Sequence, residues 1–503
     1  MTSFEPVIGL EIHVELATKT KLFCGCVNGF GGSPNTQVCP VCLGLPGVLP
    51  VVNERAIELL LRAALAFGCE IPQRSKFDRK NYFYADMPKN YQISQYDLPF
   101  SVRGGIKISA DKSVSEEKTV GITRIHLEED TGKSIHVAPK DPSENAGATI
   151  VGGRIGYSAY TLLDYNRAGV PLIEIVSEPD MRSPKEAVEF LQKLRLTLQV
   201  LEVSDCKMEE GRMRCDANVS IRPQGTKELG TKIEVKNMNS FRSVREALTF
   251  EIERQTNALA HGERLIQETR AWDESKKVTF SMRSKEEAHD YRYFPEPDLS
   301  PFLIEKEWHN RIGQSLPELP EARLIRYQEH LGLSLDEAEF LVGNPSITKF
   351  FDQAVSLRNL PRDICNWMRG DVSKYLNEKN IEITETRLTP GALVELIALI
   401  EKGTVSGKIA KEILPEMMSS GKTAQALIDA QGLTQISDDA SLLAVVNEVV
   451  QDPANSNAIG EYRAGKEKAF GFLIGAIMKK TKGKANPQKV GDILKESLKT
   501  LVN

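Results

Sequence analysis

Residues 7–16 read VIGLEIHVEL, in which apolar and polar side chains alternate strictly from Leu10 to Leu16. A period of two predicts a β-strand, because successive side chains of a strand point to opposite faces of the sheet. The polar face would carry Glu11, His13 and Glu15. Residues two apart lie about 6.5–7 Å apart at Cα, so Glu11 and His13 could bind one cation. The alternative is a strand whose polar face is simply solvated.

Length and composition indicate an ordinary soluble protein of several domains. The chain has 503 residues, more than one hydrophobic core usually supports, so we expect two or three domains. No apolar run reaches the roughly 20 residues that cross a bilayer, and the N-terminus lacks a basic region followed by an apolar stretch. We therefore expect a cytoplasmic protein with no membrane partner. The net charge of -5 means that any RNA contact must use a local basic patch.

The secondary-structure pattern predicts an α+β protein in three parts. Strand-like and helical segments mix in residues 1–293, which predicts an α+β domain built on an antiparallel sheet. Prolines in residues 293–302 and the EKGTVSG stretch at 401–407 break regular structure. Between and beyond these breaks the pattern is helical, so we predict a helical domain at 294–405 and a small all-α tail domain at 406–503.

Individual segments within the first domain carry clear signals. Ser183, Pro184 and Glu186 form a capping pattern that predicts a helix starting at residue 184. Alternation or helical spacing predicts further strands at 121–130, 213–222 and 231–236, and helices at 53–67 and 184–200.

Four of the eight cysteines lie close together: Cys24, Cys26, Cys39 and Cys42. A cytosolic chain keeps its thiols reduced, so the cluster indicates a metal site rather than disulfides. The spacing, C-x-C, twelve residues and C-P-V-C, is typical of a structural zinc site with four thiolate ligands and no open position for catalysis. Two loosely buried cysteine pairs are the alternative.

Two later stretches repeat the alternating pattern with charged side chains on one face. The stretch at 123–133 places Arg124, His126, Glu128 and Asp130 together, and the stretch at 208–222 places Arg214, Asp216 and Asn218 together. Carboxylates on one surface repel each other unless a cation lies between them, so the three faces predict a metal site. Carboxylates favour Mg²⁺, which commonly bridges protein to nucleotide phosphates, whereas imidazole favours Zn²⁺ or Mn²⁺. A network of surface ion pairs is the alternative.

Two loops and the C-terminal region are rich in possible binding residues. Residues 80–97, KNYFYADMPKNYQISQYD, mix aromatic, cationic and amide side chains in a manner typical of nucleotide or RNA-end binding. Residues 162–180 hold Asp164 and Glu174 around a tight turn. Residues 471–490 contain no acid and form a basic patch for phosphate contact: Lys479, Lys480, Lys482, Lys484 and Lys489. Solvated lysines that complement a helix end are the alternative.

Eight motifs in order resemble the GatB family, the B subunits of bacterial tRNA-dependent amidotransferases. They are VIGLEIHVEL, CPVCLGLPGVLPVVN, KNYFYADMPKNYQISQY, RIHLEEDTGK, DYNRAGVPLIEIVSEPD, EEGRMRCDANVS, EVKNMNSFRSV and SMRSKEEAHDYRYFPEPDL. The resemblance covers essentially the whole chain. It implies an antiparallel-sheet cradle domain, a helical domain and a YqeY-like tail domain that binds tRNA.

The resemblance also implies an activity. Proteins of this family use ATP and Mg²⁺ to phosphorylate the side-chain carboxylate of Glu-tRNA(Gln) or Asp-tRNA(Asn). Ammonia then displaces the phosphate, which gives Gln-tRNA(Gln) or Asn-tRNA(Asn). The glutaminase (amidase) A subunit supplies the ammonia through an internal channel, and the small C subunit is the third member of the heterotrimer.

Site roles follow from the resemblance position by position. Catalytic and magnesium-binding roles fall on Glu11, His13, Glu128 and Glu210, with Asp216 as a further catalytic residue. Second choices are Glu129, Glu174 and Asp164. Contacts to the nucleotide or the tRNA end fall on Lys89, Tyr82 and Tyr91. Glu15 receives no role, and the zinc prediction rests on cysteine spacing alone.

Two other hypotheses compete with this assignment. A noncatalytic tRNA-binding adaptor would use the zinc loop and the tail to hold RNA, with purely structural acidic faces. An archaeal glutamyl-only relative would carry a sizeable synthetase-like insertion before the tail, and the break at 401–407 is too short for one.

Overall fold

The computed structural model describes residues 3–109, 117–137, 160–284, 290–433, 439–463, 466–481, 485 and 487–500. The chain divides into two compact units between Pro320 and Glu321. This single division does not test the predicted boundaries at 293 and 405, which stay a prediction. None of the described helices has the length and apolar character needed to cross a bilayer.

The described residues of the first unit form fifteen strands and four α-helices. The strands are β1 Phe4–Glu15, β2 Arg74–Ser75, β3 Asp78–Asn81, β4 Tyr91–Ser94, β5 Ser101–Ser109, β6 Glu117–Glu129, β7 Lys133–Val137, β8 Tyr160–Asp164, β9 Pro171–Ser177, β10 Met213–Pro223, β11 Ile233–Met238, β12 Glu268–Asp273, β13 Val278–Ser284, β14 Phe294–Pro295 and β15 Phe302–Leu303. The helices are α1 Glu54–Ala66, α2 Pro184–Val200, α3 Phe241–Ala260 and α4 Lys306–Gln314. The strands and helices predicted from the sequence are thereby confirmed.

Eight strands form one sheet in the order β13-β12-β11-β10-β1-β9-β6-β5. The first strand lies near its middle and pairs antiparallel with β10 and β9. The predicted antiparallel sheet is correct except for β11 and β12, which are parallel. Helix α3 connects these two strands, and such a crossover returns the chain in the same direction.

The apolar face of β1 forms part of the core. Ile12 and Val14 are fully buried and belong to one apolar cluster with side chains of α1, α2 and α3. The hydroxyl of Ser183 caps α2 by accepting from the Glu186 amide at 3.1 Å. The Glu186 carboxylate accepts from the amide of Arg182 at 3.0 Å, one residue before the cap that the sequence predicts.

A small sheet with the order β14-β3-β4 lies across β6. Gln92 of β4 donates to the carbonyl of Glu129 at 2.6 Å, and Gln95 accepts from the amide of Leu127 at 3.0 Å. These bonds fix the small sheet against the polar face of the large sheet. The two further strand pairs are β15 with β2 and β7 with β8.

The named elements of the second unit are all helices, joined by turns and irregular segments, within its described residues. It contains α5 Pro320–Glu329, α6 Leu335–Val342, α7 Pro345–Leu357, α8 Pro361–Trp367, α9 Ser373–Lys379, α10 Pro390–Glu401, α11 Gly407–Ser420, α12 Ala424–Gln431, α13 Asp439–Gln451, α14 Ser456–Arg463, α15 Glu467–Lys480 and α16 Pro487–Thr500. Helices α13, α15 and α16 share an apolar core that includes Val446, Leu473 and Leu494. The predicted break at 401–407 separates α10 from α11.

Candidate functional site

Strand register brings polar residues of three strands to one place. His13 of β1 lies directly opposite Glu174 of β9. On the other side of β9, His126 of β6 is also opposite Glu174. Because directly paired residues point to the same face, these side chains converge with Glu128, two residues further along β6.

The four side chains form a compact cluster that we call the acidic centre: His13, His126, Glu128 and Glu174. Nε2 of His13 lies 3.3 Å from Oε2 of Glu174 and 3.6 Å from Oε1 of Glu128. Nε2 of His126 lies 3.5 Å from Glu128 and 3.8 Å from Glu174. The hydroxyl of Ser94 on β4 donates to Glu128 at 3.0 Å. Both carboxylates are buried, with Glu128 only 2% exposed.

The charges in the acidic centre stabilise one another. Burial opposes ionisation of Glu128, but the hydrogen bond from His126 and the nearby ammonium of Lys80 hold its pKa well below the usual range. Burial likewise opposes ionisation of Glu174, yet the adjacent histidines lower its pKa to about 2. Burial also opposes protonation of His13, but its contacts with both carboxylates raise its pKa. Positive charge is therefore favoured between the two carboxylates.

The acidic centre has donors suited to a divalent cation. Ligand atoms of His13, Glu128 and Glu174 all lie within 4.8 Å of one another. Two carboxylates with one imidazole are compatible with Mg²⁺ or Mn²⁺. Nδ1 of His126 is buried and has no hydrogen-bond partner within the described residues, which marks the centre as incompletely satisfied. The residues present fit a bound metal ion.

Two predicted site residues have partners outside this cluster. Glu11 accepts from Nδ2 of Asn218 at 2.9 Å, and it shares the polar face of β1 with His13. Asp216 lies opposite Glu11 and forms an ion pair with Lys236 at 2.5 Å. Both acids therefore lie on the polar face that adjoins the acidic centre.

Glu210 is not brought to the acidic centre. It lies in the turn before β10 and pairs with Lys207 at 2.9 Å and Arg212 at 3.0 Å. A turn residue does not share the strand alternation that aligns the other acids, which explains its separate position.

Of the three second-choice acids, one lies in the acidic centre and two have partners elsewhere. Glu174 joins the acidic centre through strand pairing. Glu129, the last residue of β6, instead pairs with Lys89 and accepts from the amide of Ile93 at 2.9 Å. Asp164 accepts from the backbone amide of Asn35 at 3.0 Å and so ties the cysteine loop to β8.

The predicted nucleotide contacts lie on and beside the small sheet. Lys89 is held by Glu129. The guanidinium of Arg79 lies 4.2 Å from the centre of the Tyr91 ring, so one ring face is covered. Burial and the negative charge of Glu128 raise the pKa of Tyr82.

The four clustered cysteines meet in the loop between β1 and α1, with their sulfur atoms mutually within 4.8 Å. Tetrahedral coordination at about 2.3 Å places zinc-bound sulfurs about 3.8 Å apart, so the set fits a zinc ion. A hydrogen bond from Cys24 and the Cys39 amide lower the pKa of Cys42 to about 4 despite burial. The buried ammonium of Lys21 lies 3.7 Å from Cys42 Sγ and favours the same thiolate.

Acidic neighbours partly balance the tail lysines. Lys480 pairs with Glu448 at 2.6 Å, and Lys489 pairs with Asp439 at 3.0 Å. Both pairs are exposed and therefore contribute little to stability. The two lysines can exchange their carboxylate partners for phosphate. Lys482 and Lys484 lie outside the described residues.

Residues 6–310 match the GatB/GatE catalytic domain family, and residues 349–498 match the GatB domain family. Residues 6–310, which carry the sheet and the acidic centre, therefore belong to the GatB/GatE catalytic class. The chain is 51% identical over 501 residues to the B subunit of aspartyl/glutamyl-tRNA(Asn/Gln) amidotransferase from Carboxydothermus hydrogenoformans, with 100% of both chains covered. It is 52% identical over 495 residues to the B subunit of the same name from Moorella thermoacetica, with 98% of this chain and 100% of the other covered. The chain belongs to the family of aspartyl/glutamyl-tRNA(Asn/Gln) amidotransferase B subunits.

Proposed function

We propose that this chain phosphorylates the side-chain carboxylate of Glu-tRNA(Gln) or Asp-tRNA(Asn) with ATP and amidates the product with ammonia. The observation that carries the proposal is the acidic centre. Burying two carboxylates and two histidines costs free energy of folding. Such buried groups with shifted pKa values are typical of functional sites. Family membership at about half identity over the full length supports the same activity.

The reaction needs alignment and charge compensation more than a protein nucleophile. A side-chain carboxylate oxygen of the aminoacyl group attacks the γ-phosphorus, and the bond to the β-phosphate oxygen breaks, so ADP leaves. Ammonia then attacks the acyl carbon, phosphate departs with the bonding electron pair, and the nitrogen loses a proton. Both steps gain from groups that fix the reacting atoms and offset negative charge.

Residues of this chain supply these functions from a rigid sheet. His13, Glu128 and Glu174 hold the metal ion, which offsets phosphate charge when bound. Arg124 lies 3.6 Å from Glu174 and adds positive charge at the edge of the centre. Ser94 holds Glu128 in position. Glu11 and Asp216 remain candidates on the adjoining polar face.

The proposed assembly has further parts. The four clustered cysteines bind a structural zinc ion that stabilises the loop after β1. The amidase A subunit provides ammonia through a channel, and the small C subunit joins the complex, which acts in the cytoplasm. The tail domain docks tRNA through its lysines. Lys89, Tyr82 and Tyr91 contact the nucleotide or the tRNA end.

Reconstitution with the other subunits tests the activity. The wild-type complex is expected to form ADP and Gln-tRNA(Gln) when given ATP, Mg²⁺, glutamine and Glu-tRNA(Gln). The double variant Glu11→Ala/His13→Ala should abolish both products while glutamine hydrolysis by the amidase partner continues. Unchanged transamidation by the double variant would refute the catalytic assignment and favour a tRNA-binding adaptor.

A further inference from the structure

Lys80 lies on β3, which pairs with β4, the strand whose Ser94 donates to Glu128 of the acidic centre. The proposed function gives Lys80 no role. It pairs with Gln92 of β4, whose side chain is anchored to β6. Its side chain is half-buried. Within the described part of the chain its ammonium makes no hydrogen bond and no ion pair. Its three N–H donors therefore have no protein acceptor among the residues that the structure describes.

The ammonium is held at this position by charge and by an aromatic ring. Nζ of Lys80 lies 5.1 Å from the centre of the Tyr291 ring, a distance suited to a cation–π contact. Burial alone would lower the pKa of Lys80, but the charges of Glu128 and Glu174 outweigh burial and raise it. Lys80 therefore stays a cation although it has no direct partner among the described residues.

The Tyr291 ring, which Lys80 contacts, packs among other tyrosine rings. The rings of Tyr82 and Tyr293 each lie 6.1 Å from the ring of Tyr291, and Tyr293 stacks on Tyr96 at 4.5 Å. We call Tyr82, Tyr291 and Tyr293 the tyrosine collar. The tyrosine collar limits the contact of Lys80 with water and so strengthens its attraction for an anion.

Charge balance indicates which anion the ammonium of Lys80 binds. Two carboxylates and one divalent metal ion sum to zero, so the metal centre by itself leaves phosphate charge uncompensated. A free cation adjoining that centre supplies the missing charge where negative charge resides on the transferred group.

We propose that Lys80, held by the tyrosine collar, directly contacts the γ-phosphoryl group of the nucleotide during its transfer to the substrate carboxylate. The inference rests on the proposed kinase function of the acidic centre and adds a catalytic residue to it. Lys80 donates hydrogen bonds to phosphoryl oxygens and gives up no proton. The bonds that form and break are those of acyl phosphate formation, with ADP as the leaving group.

The test uses Lys80→Met in the complete complex. We expect kcat for ADP formation with Glu-tRNA(Gln) to fall about 100- to 1000-fold, as for loss of one charge-stabilising donor. Kd for a nonhydrolysable ATP analogue should rise about tenfold, while Kd for ADP stays unchanged because ADP lacks the γ-phosphate. Lys80→Arg should restore much of the analogue affinity, since the positive charge returns.

Lys277→Met is the matched control, because Lys277 also lies over an aromatic ring, 5.8 Å from the centre of Trp272, but pairs with Glu246 away from the centre. It should leave every value unchanged. Equal weakening of ATP-analogue and ADP binding by Lys80→Met, or an unchanged kcat, would overturn the proposal. A shift in the Mg²⁺ half-saturation with unchanged analogue affinity would also overturn it, because Lys80 would then only balance the carboxylates. Failure of the proposed function itself shows differently, as a wild-type complex that forms no ADP.

Discussion

Glu174→Gln tests whether Glu174, which strand pairing places beside His13, is a ligand of the metal ion. Glutamine keeps the size and one oxygen of glutamate but removes the negative charge. In the structure this charge faces His13 at 3.3 Å, Arg124 at 3.6 Å and His126 at 3.8 Å. The variant should therefore bind the metal ion more weakly while the sheet stays intact.

The expected size of the effect follows from these distances. A pair of unit charges 3.3 Å apart attracts by about 5 kcal/mol at an effective dielectric constant of about 20. Desolvation cancels most of such a gain in a buried pair. We therefore expect a net loss of about 1.4–2.7 kcal/mol in metal binding, which corresponds to a 10- to 100-fold higher Mg²⁺ concentration at half-maximal activity.

The assay is ADP formation by the reconstituted complex as Mg²⁺ is titrated, with Glu-tRNA(Gln) saturating. Glu178→Gln is the control, because Glu178 is exposed just beyond β9 and accepts a hydrogen bond from Thr123 at 2.7 Å. It should leave the Mg²⁺ titration unchanged. An unaltered half-saturation in Glu174→Gln would refute the assignment of Glu174 as a ligand.

Three further predictions concern zinc, tRNA and helix capping. Cys42→Ser should lower bound zinc from about one equivalent to near zero by metal analysis, whereas the buried, unclustered Cys365→Ser should retain it; equal zinc content would remove the site. Reversing the exposed tail lysines should weaken tRNA binding and lower the salt slope by up to about three in filter-binding assays, and unchanged affinity would contradict docking by the tail. The lysines to reverse are Lys479, Lys480 and Lys489. Ser183→Ala should destabilise the first unit by about 1 kcal/mol in urea unfolding, because the α2 cap is lost; an unchanged midpoint would show that the cap contributes nothing.

Local patterns predicted much of the fold because their signals are short-range. The alternation of residues 7–16 predicts β1, and the Ser183 cap predicts the start of α2 at residue 184, where the helix begins. Strand direction was harder to predict from the sequence, because the parallel pairing of β11 and β12 depends on where α3 returns the chain. Glu186 closes the cap through Arg182, a detail set by local backbone geometry.

The candidate site was only partly predictable. His13 and Glu128 lie on alternating strands, so their polar faces are visible in the sequence. Glu174 sits in the run LIEIV, where a single acid among apolar residues gives no pattern of its own. Lys80 and Tyr291 are more than 200 positions apart, and nothing local relates them.

The sequence by itself predicted four strands of the large sheet, helices α1 and α2, the cysteine cluster and the family resemblance. Each of these depends on residues close along the chain or on ordered motifs. Only the tertiary structure decided which acids meet. Antiparallel register places Glu174 between His13 and His126, whereas Glu210, in a turn, is left with its own lysine and arginine. The physical reason is that a site forms where strands pair side by side, and pairing depends on the packing of the whole sheet.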